Sequence, residues 1–157
     1  MQVTPEEEKR YTELQQVALD FARKGKAQDL KLMLNAKLPV NLCDEKGNSL
    51  IMLAAYNGNF ETTKMLTEYG ALIDKKNDRG QTPLSGVCFK GYFDIVKLLV
   101  ENGANINENT GMGTNATFFA ALFGHTHIVK YLTSNNRKSS GFMLLLSKLT
   151  GIFRSKK

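Results

Sequence analysis

Four side chains in this 157-residue sequence have the reactivity to do chemistry: His125, His127, Cys43 and Cys88. The run His125-Thr126-His127 could ligate a metal only if both rings converged, and residues two apart on a helix point to different sides. No carboxylate or cysteine stands beside them at ligand spacing, so a structural or solvent role is expected for both histidines, with no metal. The cysteines form no C-x-x-C pair and no zinc-spaced cluster, and no charged activator accompanies either; both read as reduced, packed thiols. No phosphate cradle and no convergent set of titratable groups appears. The expectation is a chain that binds a partner and is not an enzyme, with no catalytic residues.

The glycines carry the organising signal. Gly47, Gly80 and Gly113 lie 33 residues apart, as do Gly25, Gly58, Gly91 and Gly124, and so do Lys31, Lys64, Lys97 and Lys130. Small residues Ala22, Ala55, Cys88 and Ala121 and large apolar residues Met33, Leu66, Leu99 and Leu132 keep the same register. A fixed period of this length marks a stack of helical hairpins, none of which buries its apolar side alone. The third unit shows the logic. Gly80 suits a turn of positive φ, Thr82 caps a helix whose first residue is Pro83, and Gly91 ends that helix after about two turns. A second helix follows, with Phe93, Val96, Leu99 and Val100 on one face and Gly103 at its end. At the start of the chain, Thr4, Pro5 and Glu7 fit a capped helix whose Tyr11, Leu14, Ala18 and Phe21 share a face.

These units resemble the ankyrin repeat, whose consensus runs G-x-T-P-L-H-x-A-A, then a glycine, then a second helix ending in G-A-D-x-N. The likeness is carried by G-Q-T-P-L at 80–84, L-A-A at 53–55, I-V-K-L-L at 95–99 and G-A-N-I-N at 103–107. The implied fold is an all-α solenoid of helix-turn-helix units with short β-turn fingers. Repeats fall at about 11–43, 44–76, 77–109 and 110–136, within a repeat domain spanning 1–136. The sequence departs from the family in three places. Met52, Ser85 and Phe118 replace the consensus histidine, Thr117 replaces a leucine, and Asn136 stands where the last glycine would. Since asparagine tolerates left-handed geometry, Asn136 is expected to keep that stop.

The resemblance also implies where a partner binds: the concave face made by first helices and fingertips. The positions that map there include Tyr56, Asn57, Phe89, Lys90, Leu122 and Phe123 on the helices, and Lys46, Arg79 and Met112 on the fingers. Aromatic residues with basic neighbours have the composition of binding hot spots. The same residues could instead fill space between first helices or beneath the C-terminal tail. The overall resemblance is to small stand-alone bacterial ankyrin-repeat proteins, some of them associated with catalases and peroxide defence. It implies a cytoplasmic adaptor or accessory protein that binds another protein. An alternative it raises is an accessory factor for haem delivery to, or maturation of, a haem enzyme such as catalase. Tyr56, Cys88, His125 or His127 would then supply the axial ligand, with Tyr56, Phe89 and Phe123 against the porphyrin.

Charge argues against nucleic acid as the partner. The net charge is +6, yet residues 1–136 hold equal numbers of acids and bases, and the excess comes from Arg137, Lys138, Lys148, Arg154, Lys156 and Lys157. A nucleic-acid domain spreads its positive charge over a folded face. Over 142–157 the residues Phe142, Leu145, Leu146, Leu149, Ile152 and Phe153 follow helical spacing with bases off that face, predicting an amphipathic helix. Such a helix could lie on an anionic membrane surface as a peripheral contact, enter a partner's groove, or cap the fourth repeat. Acids occupy the N-terminus where a signal peptide carries bases, and no stretch nears the ~20 apolar residues that span a bilayer.

Overall fold

A computed structural model describes residues 3–111, 113–136 and 147–148. Met112 and most of the segment 137–157, including the amphipathic helix expected over 142–157, lie outside the described residues. The described residues form eight helices and no strand, grouped into two compact units that divide between Leu72 and Ile73. No described helix is long and apolar enough to cross a membrane.

Unit 1 contains α1 (Pro5–Lys24), α2 (Ala27–Asn35), α3 (Leu50–Tyr56) and α4 (Phe60–Glu68). The capping box read from Thr4 and Glu7 is present: Thr4 N–H donates to Glu7 Oε2 at 2.8 Å and Glu7 N–H donates to Thr4 Oγ1 at 3.3 Å. Helix α1 packs on α2 and α3, and α4 closes against both α2 and α3. Ala22 and Ala55, fully buried, let these helices approach around Leu19, Leu30, Leu50, Ile51 and Leu66. The apolar face of α1 is buried only from Ala18 onward, while Tyr11 and Leu14 are exposed. The reason is length: α1 has 20 residues against nine in α2 and seven in α3, so its first half outruns what it packs on.

Unit 2 repeats the plan with α5 (Pro83–Lys90), α6 (Phe93–Glu101), α7 (Ala116–Leu122) and α8 (Thr126–Asn135). Cys88 and Ala121 take the small-residue positions, and Leu84, Val87, Val96, Leu99, Ile128, Val129 and Leu132 fill the core. Thr82 caps α5, and Ser85, standing where the family has histidine, completes a second capping box by accepting from Thr82 N–H at 3.0 Å. Asn115 caps α7 through its side-chain oxygen, which accepts from Phe118 N–H at 3.0 Å. Thr117 is buried in the leucine position, and its hydroxyl finds no partner among the described residues.

The fingers are organised by one side chain each. Asp44 Oδ1 accepts from Lys46 N–H at 3.0 Å and Asn48 N–H at 2.9 Å; Asn77 Oδ1 accepts from Arg79 N–H and Gln81 N–H, both at 3.0 Å. After the second helices α2, α4 and α6 the chain turns left-handed at Lys37 (φ 73°), Gly70 and Gly103, one period apart. Asn136 breaks this series, contrary to expectation, with an extended backbone at φ −125° and ψ 102°. Its side chain explains the departure: Asn136 and Asn107 exchange two amide hydrogen bonds, which fixes Asn136 in a different pose.

Candidate partner-binding surface

Helix α5 ends where Gly91 takes φ 84°, so Phe89 and Lys90 emerge at the terminus of the helix rather than along its buried side. In the next repeat Leu122 is the last residue of α7, and Phe123 follows it. Phe89 and Phe123 meet edge to face, ring centroids 4.4 Å apart at 68°. Phe89, Leu122 and Phe123 remain 36%, 43% and 40% exposed. Three large apolar side chains thus share one edge of unit 2 in contact with water, next to exposed Lys90.

What holds this edge is His125. Its ring is buried, and its Nε2 lies 3.1 Å from the carbonyl oxygen of Phe89. A carbonyl only accepts, so Nε2 carries the proton. Gly91 leaves room for the ring, since a Cβ there would overlap it. Unit 1 uses Asn59 in the same register: its side-chain amide donates to the carbonyls of Ala22 at 3.0 Å and Arg23 at 2.9 Å, and a Cβ on Gly25 would come within 2.7 Å of Asn59 Oδ1. This back-bonding was not read from the sequence, although the signal was there: Asn59 and His125 each follow a repeat glycine, two periods apart.

In unit 1 Tyr56 ends α3 and is 41% exposed. Asn57 follows it as the C-cap, with its side-chain nitrogen donating to Leu53 O at 2.8 Å, so the amide serves the helix end. Lys46 and Arg79 are exposed at the tips of their fingers, with the backbone of each pinned by Asp44 or Asn77.

The other reactive side chains are occupied structurally. Cys88 is fully buried, and burial pushes its thiol far above the ordinary value, so it has no thiolate to offer. Cys43 is half-buried, and its thiol donates to Asn41 O at 3.4 Å. His127 is exposed and sets its ring perpendicular to Phe93 at 5.1 Å, while the rings of His125 and His127 are 6.5 Å apart. Among the described residues no group of three acids, histidines or cysteines could hold a metal ion.

Comparison with known proteins accounts for this architecture. A family model described as ankyrin repeats, in three copies, matches residues 18–110. An ankyrin repeat protein of Pseudomonas aeruginosa is 46% identical over 46 residues, which is 29% of this chain and 27% of that protein's own length. The match therefore spans only about a quarter of that relative. With most of its length matched by the family model, the chain belongs to the ankyrin-repeat family.

Proposed function

We propose that this protein is an adaptor or accessory protein that takes a partner protein on the surface formed by its first helices and fingertips. Ankyrin repeats are in general a protein-binding architecture. The observation that carries the reading is the Phe89, Leu122 and Phe123 edge: apolar, exposed, and held in place from behind by a buried histidine. In unit 2, Lys90 and Arg79 add basic contacts beside this edge; Tyr56, Asn57 and Lys46 are the corresponding positions of unit 1, one period earlier. The test is affinity capture from a lysate of the source organism, comparing the native chain with a Phe89→Ala, Phe123→Ala variant. The variant is expected to melt within about 4 °C of the native chain, since the lost ring contact is small, yet to lose a specific retained protein. Equal capture by a folded variant would remove this edge from the binding surface.

Tyr56 favours a second, narrower reading as a haem accessory factor. Of the four candidate axial ligands, Cys88 and His125 are buried, whereas Tyr56, at the end of α3, and His127 are exposed. Haemin titration should then give a saturable Soret shift that Tyr56→Phe abolishes, while non-specific broadening would refute it. For the C-terminal segment, Ser147 favours the capping role over membrane or partner. Ser147 is fully buried, and its carbonyl accepts from the Thr126 hydroxyl at 3.4 Å.

A further inference from the structure

Among the asparagines of this chain, Asn57 and Asn102 alone are followed by glycine. An Asn-Gly pair carries its own reaction, because glycine has no side chain to shield the main-chain nitrogen that can attack the neighbouring carboxamide. Both pairs sit at the same kind of place. Asn57 is the C-cap of α3 and Asn102 the C-cap of α6, and each glycine turns left-handed, Gly58 at φ 77° and Gly103 at φ 93°. Asn57, Gly58, Asn102 and Gly103 are all exposed, so burial does not protect either pair from water.

Geometry protects them instead. At ψ 6° for Asn57 and 16° for Asn102, the glycine nitrogen is turned toward the asparagine's own main-chain nitrogen and away from its Cβ. A five-membered ring cannot close from there without a main-chain rotation. The hydrogen bonds oppose that rotation. Gly58 N–H donates to Ala55 O at 3.1 Å and Gly103 N–H to Val100 O at 3.0 Å. The next residues, Asn59 and Ala104, donate from their main-chain N–H to Ala54 O at 3.0 Å and Leu99 O at 2.9 Å, which completes the double closure of a glycine-terminated helix. The carboxamides are tied back as well: Asn57 Nδ2 donates to Leu53 O and Asn102 Nδ2 to Leu98 O, both at 2.8 Å. In unit 1 a further tie follows directly, since the Asn59 side chain grips the carbonyls of Ala22 and Arg23.

We propose that Asn57 and Asn102 are deamidation sites latched by the helix ends they cap, reacting only when those ends open. In the open state the Gly58 or Gly103 nitrogen loses its proton to water and bonds to the asparagine Cγ. The Cγ–Nδ2 bond breaks, ammonia leaves with a proton returned by water, and a succinimide remains. Water then adds to either ring carbonyl and opens it to aspartate or isoaspartate, with nothing oxidised or reduced. The product cannot restore the latch. A carboxylate only accepts, so it would face the Leu53 or Leu98 carbonyl acceptor to acceptor, and it places negative charge at the negative end of a helix. Each site therefore keeps a permanent record of the opening that exposed it.

Peptide mapping by mass spectrometry tests this on the full chain held in warm, mildly alkaline buffer, beside the same chain unfolded in guanidinium chloride. Conversion to aspartate and isoaspartate should appear at Asn57 and Asn102 in the unfolded chain and be on the order of tenfold slower, or more, in the folded one. Asn59→Ala removes the side-chain grip in unit 1 alone, so it should raise the folded-state rate several-fold at Asn57 and leave Asn102 unchanged. Equal rates in the folded and unfolded chain, or no conversion at either site once unfolded, would overturn the proposal. So would an Asn59→Ala variant, folded by circular dichroism, whose effect is the same at both sites. Should that variant fail to fold, the native chain compared folded and unfolded decides the matter alone.

Discussion

Asn59 in unit 1 and His125 in unit 2 occupy one register of the repeat and reach back to equivalent carbonyls, those of Arg23 and Phe89. One does so with a flexible amide and the other with a rigid aromatic ring. In both units a glycine faces the clamp, but the consequence of crowding it differs. An amide can rotate away from a new methyl group, whereas a buried imidazole between two helices has nowhere to go. At these two rungs the hydrogen bond is kept while the stiffness of the group that makes it differs.

The same contrast runs through the fingers and helix ends. Asp44 and Asn77 build the same turn, one with a charge and one without. Lys37 and Gly103 make the same left-handed exit, one against its steric preference and one at no cost. Thr62 is buried in unit 1 at the position of Ile95 and Ile128 in unit 2, and its hydroxyl finds no partner among the described residues. Unit 1 thus contains compromises at Lys37 and Thr62, where Gly103, Ile95 and Ile128 of unit 2 fit their positions, while unit 2 has one of its own at Thr117.

The sharpest way to break the comparison is at the glycines. Gly91→Ala should destabilise by about 3 kcal/mol and Gly25→Ala by about 2 kcal/mol, both through the left-handed backbone and the clamp behind it. Chemical denaturation measures both, and equal losses would show that the ring is no stiffer than the amide.

Acid should separate the two fingers next. Burial pushes the Asp44 carboxyl up, but hydrogen bonds from the Asn48 side chain, the Asn48 and Lys46 amides and Arg23, 3.1 Å away, outweigh it and hold the group below its ordinary value. An acid with a lowered folded pKa contributes stability that is present above its unfolded pKa and is lost as pH falls through the folded one. Asn77 takes up no proton. Protection against amide exchange, corrected for the intrinsic pH dependence, should therefore fall more at Lys46 and Asn48 than at Arg79 and Gln81 between about pH 5 and pH 2, and Asp44→Asn should erase the difference.

The smallest effects are gains. Lys37→Gly and Thr62→Val should each stabilise the chain by about 1 kcal/mol, the first by relieving positive φ and the second by removing an unpaired buried hydroxyl. Thermal melts of the single and double variants check both. A loss at Thr62→Val would mean that the hydroxyl is satisfied after all.

Features set by local geometry were legible in the sequence. Thr4, Thr82, Pro83 and Gly91 encode caps and stops whose physics acts within one turn, and their spacing carried the fold with them. What stayed hidden were positions where a different side chain solves the same problem. Ser85 rebuilds a cap in place of histidine, Asn136 trades left-handed backbone for an amide pair with Asn107, and Lys37 turns without glycine. The candidate surface was legible as positions in a repeat, but not the contact between the Phe89 and Phe123 rings, nor the reach of His125 behind them. Those depend on neighbouring helices 30 or more residues away, which periodicity counts but does not orient.

The His125 hydrogen bond has a further consequence for recognition. It fixes the main chain of Phe89, whose side chain stays partly exposed and meets Phe123 edge to face. If a partner docks at this edge, as proposed, part of the ordering entropy that association usually demands has already been spent during folding. A small edge of this kind can yield measurable affinity from few contacts, and loosening His125 should cost binding without touching a single residue at the surface.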